Sequence, residues 1–511
     1  MPPPSLTQIL RRERLAQQHA AAGYFNPGGM YFELLTDPEA AEDVLDRVTL
    51  LATLLHERMH WLQLIGTSAG LHSAYVSTLQ NAVLPSTSSA GRSLTLQDLP
   101  LLDSGLVNDS TRQVWLACEL QHLASFGTSR AYFEALCAQR AQPHREVLSA
   151  ELRKLAEQVL ADRSSGYVAL QDRIWAAAEF TEAGGAFLQH RDVGIGAAHL
   201  METSARINEL FKLSSSRVEN YGVSTLLAFG RPYGLARELF YTATNADPGP
   251  ESEMALCVLC DWALCTPLPP LLPASGAAAT SVATPGMIFG QLLHAYRSDV
   301  IPTATEGKPV EFAEALAINM YESISARVKI PTPIDVAKFT VANLASLADV
   351  EIPAALYHGV GDGAPKPVDA LSRLRYLTIL TLRAAETRLA HPAFFALPIS
   401  YYDEGRPFFH SLFDPIEPPI WSIPGRRFAP TRDDADWFSF FYSGALVEEI
   451  RTLTAFCDAE ALGRQLRGYR GTLVASADEA HLIEQAIVAV LGDGLASEVA
   501  LAASWPDGAP R

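Results

Sequence analysis

The residues best suited to chemistry are His56, Glu57 and His60, within the segment TLLATLLHERMHWLQLIGTSAG at 49–70. On an α-helix, residues four apart share one face a turn apart. Two imidazoles spaced so can hold one metal ion at about 2.0–2.1 Å each. Glu57 is rotated about 100° from His56 around the axis. From there its carboxylate would reach a water on the metal instead of the metal itself, which is the position of a general base. The flanking pattern agrees. Thr49, Ala52, Thr53 and Gln63 share the histidine face, while Val44, Val48, Leu51, Leu54, Leu55, Met59 and Leu62 form an apolar stripe on the other. This predicts a core-facing stripe and a histidine face looking into a polar cleft. The plain alternative is a pair of ordinary histidines with a Glu on the rim.

His56-Glu57-Arg58-Met59-His60 resembles the active-site helix of zincin metallopeptidases. The metzincin branch follows the pair with a Gly and a third His; here HERMHWLQLIG offers Gln63 and Gly66, so that branch is excluded. The resemblance implies the gluzincin arrangement, in which a Glu from a later helix completes the set around Zn2+. In that arrangement the third ligand often stands in a Glu-x-x-Ala helix, where the small residue lets two helices approach.

The first choice for that ligand is Glu202, in GIGAAHLMETSARINEL, with Ala205 after it and Arg206 one turn on to steady a carboxylate. The gap from His60 is far longer than is common in such enzymes, so a large helical insertion must fold out between them. Glu182, in AAEFTEAGGAFLQH, and Glu314, in FAEALA, are the next candidates, against a plain reading of each as a solvated helix Glu. Tyr221, in VENYGVS, is a candidate hydrogen-bond donor to a developing oxyanion, or else a half-buried core tyrosine.

A competing set exists. Glu57-x-x-His60 and Glu119-x-x-His122, with Glu182 and Glu202, make the ligand inventory of a di-iron carboxylate bundle. Such bundles usually alternate a single Glu with each pair, whereas here both pairs come first, and His56 is left unused. A third reading keeps a structural or vestigial metal site on a non-catalytic helical scaffold. The leading expectation is a zinc-dependent hydrolase, a metallopeptidase cleaving a peptide or protein substrate.

The elements that must position these residues read as helices. Apolar residues recur at three and four over 42–65, 111–141, 146–161, 167–190, 196–212, 310–327, 370–389 and 436–457. The strand candidates are MYFELL at 30–35 and GTLVAS at 471–476. The expected fold is mostly α, a large helical protein with at most a small sheet. Pro-rich stretches interrupt the chain at 247–250, 266–285 and 415–430. The second suggests a boundary between an N-terminal helical lobe, 1–265, carrying the HExxH site, and a C-terminal helical lobe, 286–511.

Composition sets further bounds. The chain has 511 residues, of which 48% are hydrophobic, enough for a large core. The formal net charge of −18, with no cluster of Lys and Arg, argues against a nucleic-acid partner. No stretch of about 20 residues is apolar enough to suggest a membrane span. Residues 1–23 read as a polar amphipathic helix without the apolar run of a signal peptide. The six cysteines are expected as reduced thiols of a cytoplasmic protein. Cys257 and Cys260 form a CxxC without a second ligand pair and read as buried residues on a helix. GVGDG at 359–363 lacks the Lys-Ser/Thr of a phosphate loop, and RGYRG at 467–471 reads as a basic surface turn.

Overall fold

The computed structural model describes residues 23–26, 31–34, 44–84, 94–126, 189–190, 193–215, 233–265, 285–297, 308–345, 370–418, 420–423, 426–428, 450–464 and 477–502, with a few isolated positions between them. These residues are mostly helical. In chain order the elements are β1 (Gly23–Asn26), β2 (Tyr31–Leu34), α1 (Val44–Gly66), α2 (Ser68–Val83), α3 (Asp109–Phe126), the short strands β3 (Gln189–His190) and β4 (Val193–Gly194), α4 (Ala197–Ser215), α5 (Leu235–Thr244), α6 (Pro250–Cys265), α7 (Pro285–Ala295), α8 (Pro309–Ser325), α9 (Pro333–Leu344), α10 (Ala370–Ala390), α11 (Pro398–Glu404), α12 (Arg406–Phe413), β5 (Ile420–Ile423), β6 (Arg426–Phe428) and α13 (Ala477–Ala502). The sheet is small, in the order β1-β2-β5-β6. Its outer pairs are antiparallel, and β2 runs parallel to β5 with Phe32 opposite Trp421. The expected strand at 30–35 is β2; the one expected at 471–476 lies outside the described residues.

Helix α1 holds the motif and is buried on more than its apolar stripe. Met59, Trp61, Leu62 and Ile65 are fully enclosed, but so is Ala52, and Thr53, His56 and Gln63 on the histidine face are buried too. The open cleft expected beside the histidines is instead largely covered by α4, the most extensive helix pairing among the described elements. Ala52 on α1 and Ala205 on α4 are both at zero exposure, the small side chains that close approach requires. On the opposite face, burial of a side chain such as Met59 or Leu62 contributes about 1.5–3 kcal/mol each, which anchors α1 in the core.

The C-terminal end of α1 is sealed. A β-carbon at Gly66 would overlap the Phe395 ring, so the ring packs directly on bare backbone. The Gly66 carbonyl accepts from Arg388 Nη2 at 3.0 Å. Thr67 then caps α2, its hydroxyl accepting from Gly70 N at 3.1 Å and donating to the Gln63 carbonyl at 2.6 Å. Trp61 Nε1 donates to the Ile416 carbonyl at 2.6 Å, tying α1 to the chain ahead of β5.

Helix α4 stands between α1 and α6. Fully buried Asn208 donates to the carbonyls of Ser204 and Ala396, at 3.0 and 3.1 Å, and so pins the 391–397 turn against α4. Helix α6 is enclosed on every side from Ala255 to Cys265. Cys257, Cys260 and Cys265 are free thiols within it, and burial pushes each upward in pKa. One contiguous core joins residues from Trp61 to Val499, with side chains contributed from both sides of the 266–285 stretch. No helix among the described residues is long and apolar enough to cross a membrane.

Candidate metal centre

His56 and His60 project from one face of α1 toward Glu202 on α4. The Nε2 atoms of the two rings are 3.1 Å apart. Glu202 Oε2 lies 3.3 Å from His56 Nε2 and 3.5 Å from His60 Nε2. Among the described residues these three form the one group of His, Cys, Asp or Glu side chains able to share a metal ion. A tetrahedral zinc with ligands at about 2.05 Å has ligand–ligand edges of about 3.3 Å. The observed triangle has that size before any ion is placed in it.

The outer ring nitrogens determine what the inner ones can do. His56 Nδ1 meets Glu209 Oε2 at 3.1 Å, and His60 Nδ1 meets Gln63 Oε1 at 3.0 Å. Gln63 Nε2 donates to the Met201 carbonyl at 3.1 Å, which fixes its oxygen toward His60. Both Nδ1 atoms therefore carry hydrogen, which leaves the two Nε2 atoms and the carboxylate facing one another as the positions that take up a proton or a metal ion. Glu202 Oε2 is buried, with the two Nε2 atoms at 3.3 and 3.5 Å as its neighbours. Two imidazole nitrogens and a carboxylate oxygen so placed repel one another unless a proton or a metal ion lies among them. Metal-ligating histidines are characteristically held this way, by an acceptor on the far nitrogen.

The electrostatics carry the same signature. Burial disfavours an imidazolium at His56, but its hydrogen bonds to the Glu202 and Glu209 carboxylates outweigh this and raise the pKa to about 10. His60 is raised as well, burial being overcome chiefly by the Glu202 charge. Burial pushes Glu202 upward, yet the two histidines pull it far below the usual carboxylate range. A pocket that draws a proton this strongly is one that draws a cation. Glu57 is buried beside the cluster, 5% exposed. Burial raises its pKa, opposed by His60 and His56 and reinforced by Glu202 and Glu209. It is absent from the ligand group, so it neighbours the site without closing it.

Several contributors were not among the residues singled out from the sequence. Arg206, expected to steady Glu202, pairs instead with Glu209, its Nη1 lying 2.6 Å from Oε1. Glu209 thus bridges Arg206 to His56. Its signal was available: Glu202, Arg206 and Glu209 recur at four and three along one face of α4, a polar stripe on a helix otherwise built for the core. Tyr233, in the turn before α5, packs edge-on against His56 with ring centroids 6.0 Å apart. Its carbonyl accepts from Thr203 on α4 at 2.7 Å. Burial, then the charges of Glu202 and Glu209, push its phenol up to about 12, so it remains a hydrogen-bond donor at neutral pH. Nothing local to Tyr233 in the sequence announces this.

The other candidates are elsewhere. Glu314 on α8 accepts from Tyr401 and from Ala393 N, and lies 3.5 Å from His391 Nδ1, away from the histidine pair. Glu182 and Tyr221 lie outside the described residues, as do the side chains of Glu119 and His122 on α3. No known protein family matches the chain, nor does any curated protein or solved structure.

Proposed function

We propose that this protein is a zinc-dependent hydrolase, a metallopeptidase acting on the amide bond of a peptide or protein. The observation that carries the reading is the His56–His60–Glu202 triangle with its outer nitrogens already engaged. Two histidines and one carboxylate leave a tetrahedral position open, the pattern of catalytic rather than structural zinc. A zinc ion held there would supply Lewis acidity, polarising a carbonyl and acidifying a water. Glu57, buried beside the cluster, would act as general base toward an attacking water and then as general acid toward the leaving amine. Tyr233, a protonated phenol whose ring packs against His56, would be the donor that stabilises charge developing on the carbonyl oxygen. It takes over the role expected of Tyr221.

The di-iron alternative draws on Glu57 and His60 and leaves His56 without a role. The engagement of His56 on both ring nitrogens favours zinc over it. A purely structural site would need a fourth protein donor, and among the described residues the cluster offers three.

The test is Glu57→Gln, assayed on a mixture of peptides with cleavage read by mass spectrometry. The variant is expected to bind zinc as the parent does and to lose at least about 100-fold in turnover, the usual scale of general acid–base catalysis. Undiminished turnover would overturn the mechanism.

A further inference from the structure

Resting on the hydrolase reading is a second feature of the same site, its substrate class. Arg206 stands one turn beyond Glu202 on the same face of α4. A guanidinium has five N–H donors in a planar fork. One group, Nη1, is spent on Glu209 Oε1. The Arg206 side chain is 27% exposed, as is that of Glu202, against 10% for both Glu209 and His56, so the network meets solvent along the Glu202–Arg206 edge of α4. Tyr233 packs against His56 beside this edge, close enough that Glu202, Glu209, Arg206 and Glu57 all act on its hydroxyl.

We propose that Arg206 binds a substrate carboxylate, so that the preferred substrates are amides whose amine side is a single amino acid with a free α-carboxylate. Residues four apart on a helix have β-carbons about 5–6 Å apart, so the guanidinium rises from the same face as the Glu202 carboxylate, one turn along. The charge pattern gives the selectivity. Without Arg206 an incoming carboxylate would face Glu57, Glu202 and Glu209, so the guanidinium both attracts the anion and masks the acidic wall.

The test compares two zinc-binding probes by titration calorimetry on the full-length, zinc-loaded chain. One is a hydroxamate carrying a free carboxylate one residue from the zinc-binding group, and the other is its methyl ester. The acid is expected to bind about 10- to 100-fold more tightly than the ester, the scale of a charge-assisted contact. In Arg206→Gln the ratio should fall toward one, and in Arg206→Lys it should be partly restored. Because the readout is a ratio within each protein, any loss of zinc affinity through Glu209 cancels. Equal binding of the two probes to the parent chain, or a preference that survives Arg206→Gln, would overturn the proposal. Ester binding without acid preference leaves the hydrolase reading intact while sinking this one. A chain that takes up no zinc fails at the metal site itself, and both fall.

Discussion

Replacing Glu209 with alanine removes the acceptor of the His56 Nδ1–H without touching a metal ligand. The hydrogen bond is 3.1 Å long, between side chains each about one-tenth exposed. Bonds to a charged partner contribute about 1.5–3 kcal/mol in such settings. Loss of the acceptor behind a ligating histidine typically costs 10- to 100-fold in metal affinity, about 1.4–2.7 kcal/mol. The two scales agree, so Glu209→Ala should raise the zinc dissociation constant by about 10- to 100-fold. Gln63→Ala removes a neutral acceptor from His60 and should cost less, within about tenfold. Glu202→Ala, which deletes a proposed ligand, should cost more than either. The assay is competition with a chromophoric chelator at pH 7.5, with circular dichroism to establish that each variant is folded. A Glu209→Ala constant within twofold of the parent, or a larger effect from Gln63→Ala, would refute the assignment of the outer nitrogens.

Two further outcomes concern stability. His72 on α2 is 1% exposed, and neither ring nitrogen has a hydrogen-bond partner among the described residues. Burial lowers its pKa from 6.5 to about 3, so between those values the unfolded chain binds the extra proton and stability falls as the pH drops below 6.5. By pH 5 the loss is about 2 kcal/mol relative to neutral pH, and His72→Leu should abolish that share. Urea unfolding at pH 7.5 and 5.0 measures it, and identical pH dependence in parent and variant would exclude it. Arg388 on α10 pairs with Asp261 on α6 at 2.5 and 2.9 Å, both side chains 2% exposed. Asp261→Asn should therefore destabilise by about 3–5 kcal/mol, and the double variant Asp261→Leu/Arg388→Met by less, because it strands no charge. A double variant no more stable than Asp261→Asn would contradict this.

The contrast between what the sequence disclosed and what it withheld follows from the range of the forces involved. Helix α1 was legible because polar residues four apart interrupt an otherwise apolar repeat. Glu202 was singled out by the Glu-x-x-Ala pattern that the zincin resemblance implies for a third ligand, and the structure groups its carboxylate with the histidine pair. The boundaries of α4, α8 and α10 also followed from their periodicity. Helix α6 gave no periodic signal from Ala255 to Cys265, because a helix buried on all sides has no polar face to mark the period. The face of His56 was misjudged for a related reason. Thr53 and Gln63 look like cleft residues in isolation, yet α4 covers them, and Gln63 is buried to orient His60. Strand β2 could be read from its residues, whereas its parallel partner β5, nearly four hundred positions away, is fixed only by tertiary pairing. Tyr233 reaches His56 through the turn into α5 and the Thr203 bond, contacts that no local pattern encodes.

The central claim is that one cation is shared by His56, His60 and Glu202. The most direct measurement is the metal content of protein purified without chelators and equilibrated with zinc, in the parent and in His60→Ala. One zinc per chain in the parent, lost on His60→Ala while the helical signal is retained, is the predicted result. Two irons per chain, or zinc bound equally by both proteins, would contradict it.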